Sequence, residues 1–122
     1  MHLALDFFGQ LNLAVNAAGA AAVRPLADTE EAFFDQVLAT NVKTAFLAMK
    51  FEIPSMRTGG AIVNVSSRAG LVGIPTGPIY SASKHAVSGW TKSAYPSNPT
   101  RHCKVGHNAS AALLGAWIQL AN

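Results

Sequence analysis

The sequence is poor in cysteine, in charge and in long apolar runs. Cys103 is the only cysteine among 122 residues, so no disulfide can close within the chain and a reducing, cytoplasmic setting is expected. Only 12% of the residues are charged while 50% are hydrophobic. That argues against an intrinsically disordered chain and fits one compact soluble domain. The longest apolar run, near 109–120, is too short to span a bilayer, and no basic segment followed by an apolar stretch opens the chain. Neither membrane insertion nor export is expected. Acid is missing from the second half: Asp6, Asp28, Glu30, Glu31, Asp35 and Glu52 all precede residue 53, while Arg57, Arg68, Lys84, Lys92, Arg101 and Lys104 follow it. These bases are widely spaced and not interleaved with aromatic residues, so they read as a solvated face and no nucleic-acid partner is expected. His102, Cys103 and His107 lie in a tail without ligand spacing, so no metal site is expected. Asn108-Ala109-Ser110 fits a glycosylation sequon but has no export signal to accompany it.

What is present reads as alternating helix and strand. His2 to Phe8 has the pattern of a helix end stopped near Gly9, and Leu11 to Asn16 is a short apolar run suited to a buried parallel strand. Asp28, with Glu31 three residues later, resembles a capping box, and a long helical region runs from there to about Met56. Its periodicity is weakest at Thr40-Asn41-Val42, which predicts a kink or break near Asn41. Gly59-Gly60 punctuates the chain before a second β-branched run, Ala61 to Ser66. Strand, helix, strand implies a parallel crossover. Ser67 to Pro78 is a Gly- and Pro-containing loop at the carboxyl end of the second strand, where open α/β sheets place ligands. From Ile79 to about Ala94 the pattern is helical again, with Tyr80, Lys84, Val87 and Thr91 on one stripe.

That stripe carries chemistry. A phenol titrates near ~10, so a tyrosine serves as acid or base near neutrality only where its anion is stabilised. Lys84, one turn after Tyr80, brings an ammonium to the same face. Taken singly, Tyr80 is an ordinary amphipathic-helix residue, Ser67 a turn cap, Lys84 a solvated charge and Asn41 a helix-break residue. Taken together, four motifs in order and at fixed spacing resemble the short-chain dehydrogenase/reductase family over roughly residues 7–94. Val15-Asn16-Ala17-Ala18-Gly19 is similar to the family's Asn-Asn-Ala-Gly segment, with Ala in place of the second Asn. Ala39-Thr40-Asn41-Val42 resembles its helix-borne Asn motif. Ile62-Val63-Asn64-Val65-Ser66-Ser67 followed by Tyr80-Ser81-Ala82-Ser83-Lys84 is similar to its Ser strand and Tyr-x-x-x-Lys helix.

The resemblance implies an α/β fold, a partial Rossmann-like (doubly wound) parallel sheet lacking the N-terminal Gly-rich half. It implies an oxidoreductase that interconverts an alcohol and a carbonyl with NAD or NADP; no residue of this chain selects between the two cofactors. Asn41, Ser67, Tyr80 and Lys84 would be catalytic: Tyr80 as the acid/base, Ser67 as a donor to the substrate oxygen, and Lys84 also as a ligand of the nicotinamide ribose. Asn41 would order a water that links Lys84 to solvent. Asn16, Ala17, Ala18 and Gly19, with Tyr80 and Lys84, would bind cofactor, the small residues letting backbone approach it closely. The partners implied are a small alcohol or ketone and a second copy of the chain, joined through the long helix and the Tyr/Lys helix. Residues 1–94 are expected to be the partial catalytic domain. Residues 95–122 are expected to be a divergent tail, frameshifted in origin, because Tyr95-Pro96-Ser97-Asn98-Pro99 stops the helix abruptly and no family pattern follows. A short helix over Ala111 to Leu120 fits the tail's composition. With the Gly-rich pyrophosphate turn absent, the chain as written is expected not to turn over at the rate of an intact family member. The rival reading from a different class is a non-catalytic α/β module that dimerises through its helices.

Overall fold

A computed structural model describes residues 2–94 and 104–108. Helix α1 (His2–Phe8) ends as Gly9, at φ 70°, turns the chain into strand β1 (Leu11–Asn16). Helix α2 (Glu31–Leu38) runs through a π-helical turn at Ala39–Lys43 into α3 (Thr44–Ser55), and strand β2 (Met56–Val65) follows. A 3-10 turn at Arg68–Gly70 and a loop lead to the longest helix, α4 (Pro78–Ala94), and β3 (Lys104–Asn108) closes the described chain. The three strands form one parallel sheet in the order β1-β2-β3. Parallel strands joined by helices are the layer arrangement of a Rossmann-like α/β fold, here a part of one.

The central strand explains most of the core. Ala61, Ile62, Val63 and Asn64 are buried in succession, as befits a strand with neighbours on both edges. Ile62 joins Ala14 and Met56, with Leu11 and Ile53 packed against them, and a second cluster of Ala22, Val37 and Ile79 is closed by Phe33 and Tyr80. β1 departs from the fully buried strand its apolar sequence suggested. Leu13 is 38% and Val15 41% exposed, because β1 is an edge of the described sheet and hydropathy cannot reveal which strand is central.

Two other expectations change and one takes a more specific form. Asp28 does not cap the long helix: it lies in a 3-10 turn, and α2 begins at Glu31 with Glu30 extended before it and no side-chain cap. Glu31 still places an acid in the first turn, where the helix dipole favours it. The irregularity expected near Asn41 is there, not as a break but as a π turn that holds one extra residue and keeps the chain helical. β2 starts at Met56 rather than Ala61: Leu11 pairs with Met56 but Leu13 with Ala61, so extra β2 residues bulge out opposite β1. Gly59 takes the left-handed φ of 79° there, and a Cβ on Gly60 would come within 2.5 Å of the Met56 sulfur and 3.0 Å of the Asn12 carbonyl oxygen.

The segment after Ala94 contains more of the fold than its sequence suggested. β3 pairs with β2 in parallel, Ala61 opposite Lys104 through Val65 opposite Asn108. The short helix expected at Ala111 to Leu120, together with His102 and Cys103, lies outside the described residues. Among the described residues no helix is long and apolar enough to cross a membrane.

Candidate active site

The motif residues gather at the carboxyl ends of β1 and β2. A cavity of about 150 Å³ opens there between the sheet and the helices, lined by Asn16, Ala17 and Ala18 after β1, by Asn41 and Ala48 from the long helix, by Val65 at the end of β2 and by Lys84 from α4. This is the crevice in which open α/β sheets hold ligands.

Lys84 is buried, and its Nζ donates to the carbonyl oxygen of Val65 at 3.2 Å. The ammonium also stands 5.8 Å from the centroid of the Tyr80 ring, one helical turn back. Burial pushes the lysine below its ordinary pKa. An ammonium has three N–H donors. With one given to Val65, two remain for the cavity that Lys84 lines.

Asn41 is 1% exposed and fully engaged. Its Oδ1 accepts from the Ala20 amide at 2.8 Å, and its Nδ2 donates to the Ala20 carbonyl at 3.0 Å and to Ser83 Oγ at 3.0 Å. The side chain therefore holds the Ala- and Gly-rich segment after β1 against the long helix. Gly19 sits inside this clamp: a Cβ there would lie 3.2 Å from Asn41 Oδ1 and 3.2 Å from Lys84 Nζ. Glycine keeps open the space beside the ammonium.

Ser67, extended at the end of β2, accepts from the Ala69 amide at 3.2 Å, which leaves its own O–H free to donate. Ser67 does not line the Lys84 cavity, and no hydrogen bond joins it to Tyr80 among the described residues. Tyr80 is half-buried and packs on the Ala22, Val37 and Ile79 cluster. The Ile74 amide donates to Ser81 Oγ at 3.0 Å, which ties the loop to the start of α4.

Several polar residues of the site were not among the expected site residues. Ser83 bridges Asn41 and the Tyr80 carbonyl, donating to the latter at 2.7 Å. Ser66 donates to the Lys84 carbonyl at 3.1 Å and pairs with Ser88 Oγ at 3.0 Å. Asn64, wholly buried, joins Asn16 to Thr91. Asn64, Ser66 and Ser83 lie inside the motif segments, and that placement was the signal that could have found them.

The class this fold defines is the Rossmann-like α/β proteins, and Asn41, Ser67, Tyr80 and Lys84 stand near the carboxyl ends of its strands. The sequence profile described as short chain dehydrogenase matches residues 1–106, and the chain belongs to that family. The match runs past residue 94 into β3. An uncharacterized oxidoreductase of Thermotoga maritima is 45% identical over 91 residues, 73% of this chain and 36% of that protein. A 3beta-hydroxysteroid dehydrogenase of Mediterraneibacter gnavus is 45% identical over 87 residues, 70% of this chain and 32% of that protein. The solved structure of ElxO with NADP bound superposes with a TM-score of 0.80 at 32% identity, covering 87% of this chain and 44% of that one. The chain thus spans about a third of the length of the curated relatives it matches.

Proposed function

We propose that this chain carries the proton-transfer and ligand-orienting part of an NAD(P)-dependent oxidoreductase that interconverts a secondary alcohol and its ketone in the cytoplasm. The observation that carries the reading is the buried Lys84 ammonium. It lies beside Tyr80 and lines the cavity at the carboxyl ends of β1 and β2, and a Cβ on the neighbouring Gly19 would come within 3.2 Å of it. The donor set fits a dinucleotide: two spare ammonium hydrogens for ribose hydroxyls, and the small Ala17 and Ala18 in the cavity wall where backbone approaches closely. The NADP of the ElxO structure and the steroid alcohol of the Mediterraneibacter gnavus enzyme support the cofactor and substrate classes. When bound, the nicotinamide supplies or accepts the hydride.

The remaining steps belong to the protein. Tyr80 holds the transferred proton at its phenolic oxygen, with the Lys84 ammonium 5.8 Å from the centre of its ring. The free Ser67 O–H donates to the substrate oxygen, where charge develops. Asn41 fixes the backbone of Ala20 and, through Ser83, the first turn of α4. Turnover by the 122-residue chain alone is expected to be far below that of its longer relatives, because orienting the reacting ring contributes ~7 to 11 kcal/mol of barrier lowering.

The test uses a chimera in which residues 1–94 are joined to the flanking segments of the Thermotoga maritima relative. Tyr80→Phe should lower kcat at least ~100-fold, the scale of one acid/base group, with NADPH affinity retained. Lys84→Ala should damage both. Parental turnover by Tyr80→Phe overturns the assignment.

A second reading is favoured by one face of the molecule. Phe46 on α3 and Trp90 on α4 are exposed, their rings meet at a tilt with centroids 5.5 Å apart, and both line a shallow apolar cleft of about 370 Å³. Such a surface suits a second copy of the chain, and it would serve a non-catalytic dimerisation module as well as an enzyme.

A further inference from the structure

The Asn16 side chain ends a hydrogen-bond chain whose direction is set at both ends. At one end the Thr91 hydroxyl donates to the Val87 carbonyl at 2.7 Å, so Thr91 Oγ1 is left to accept from Asn64 Nδ2 at 2.9 Å. Asn64 Nδ2 also reaches the Met49 sulfur at 3.1 Å. The Asn64 amide nitrogen is thereby committed, and its Oδ1 accepts from Asn16 Nδ2 at 2.9 Å. At the other end Asn16 Nδ2 donates to Glu52 Oε2 at 2.8 Å. A backbone carbonyl and an ionised carboxylate are acceptor-only groups, so both ends demand that the Asn16 amide nitrogen point inward. Both of its hydrogens are used. Its Oδ1 has no partner among the described residues, and Asn16 lines the cavity beside Lys84.

We infer that Glu52 is a positioning residue: it sets the polarity of Asn16, so that the cavity wall offers an acceptor, Asn16 Oδ1, to a hydroxyl or N–H of the bound ligand. Glu52 stands one turn beyond the cavity-lining Ala48 on α3 and does not itself line the cavity. The identity of the ligand as a dinucleotide rests on the function proposed above; the polarity argument does not.

The experiment is carried out on the full chain with ¹⁵N-labelled asparagine, Asn16 being assigned by Asn16→Asp. In the parent both Asn16 side-chain hydrogens should be protected from solvent exchange. Glu52→Gln can turn its amide oxygen to Asn16 and should leave both protected. Glu52→Lys presents only donors and should expose at least one of them. Glu52→Met, which neither donates nor accepts, should free one hydrogen and keep the Asn64 bond, and it decides the matter if the lysine variant fails to fold. Titration with NADPH supplies the second readout. Glu52→Lys should bind about fivefold more weakly, the scale of one lost neutral hydrogen bond. A simple charge effect has the opposite sign, since added positive charge favours an anionic dinucleotide. Unchanged Asn16 protection in both Glu52→Lys and Glu52→Met overturns the inference. Protection that changes as expected without any NADPH binding upholds the role of Glu52 and counts against the proposed function instead.

Discussion

Replacing Gly70 by alanine tests how closely the Arg68–Gly70 turn packs against α4. Gly70 has ordinary backbone angles, so the cost is steric rather than conformational. An added methyl would collide with Ser66 Oγ and lie 2.7 Å from the Lys84 carbonyl oxygen and 2.9 Å from Ser88 Oγ. These atoms are buried and bonded to one another, so none can step aside freely. Overpacking costs about 1–3 kcal/mol, and displacing Ser66 from the Lys84 carbonyl forfeits about 1 kcal/mol more. Gly70→Ala is therefore expected to lose about 2–4 kcal/mol, a fall in Tm of roughly 10 °C or more for a domain of this size. The assay is urea unfolding followed by circular dichroism, with the midpoint shifting at constant slope. Gly73→Ala is the control, because nothing lies within 4 Å of a Cβ there, and it should change stability by less than about 0.5 kcal/mol. Adding Ser66→Ala to Gly70→Ala should recover part of the loss, since the Lys84 carbonyl remains in the way. If Gly70→Ala proves as harmless as Gly73→Ala, the close approach of the Arg68–Gly70 turn to α4 is refuted.

Two further outcomes follow from the same geometry. Burial lowers the Lys84 pKa in the folded chain, so the unfolded chain binds the extra proton and stability should rise with pH from the lowered value toward the ordinary ~10.4; Lys84→Met should remove that rise, as read from urea midpoints across the alkaline range. Phe46→Asp, which puts charge on the exposed α3 and α4 face, should shift the chain to monomer in sedimentation equilibrium with its far-ultraviolet spectrum unchanged, and identical association in parent and variant would rule out that face as the contact.

The parts of the fold written in local chemistry were legible in the sequence. α1 stops at the glycine that the sequence offered, β1 occupies the six residues expected, and α4 begins one residue before the expected Ile79. Properties that depend on neighbours were not. Leu11 to Asn16 reads the same whether the strand is central or at an edge, so its exposure could not be seen. Lys104 to Asn108, with Gly and His inside it, has little of the β-branched character of a buried strand; it gains its place from pairing with β2. The site divides in the same way. Asn41 and Lys84 were found through the family resemblance, and they do line one cavity. Glu52, Asn64 and Thr91 were missed because their meaning lies in bonds across 36, 48 and 27 positions of sequence, to and from residues that no periodicity connects.

The π turn at Ala39–Lys43 makes this molecule sensitive to length at one place. A helix advances about 100° for each residue, and the π turn holds one residue more than an α-helical turn would use. A single-codon deletion between 39 and 43 would restore regular helix and swing α3 through that angle relative to α2. Ala45, Ala48 and Glu52, now on the side of the cavity, would leave it together while every one of them remained in the chain. A change that substitutes no site residue would thus dismantle the site, whereas an insertion beside the exposed Gly73, where an added Cβ meets nothing within 4 Å, is expected to cost less. Within this short protein, susceptibility to insertion and deletion is set by helical phase as well as by depth in the core.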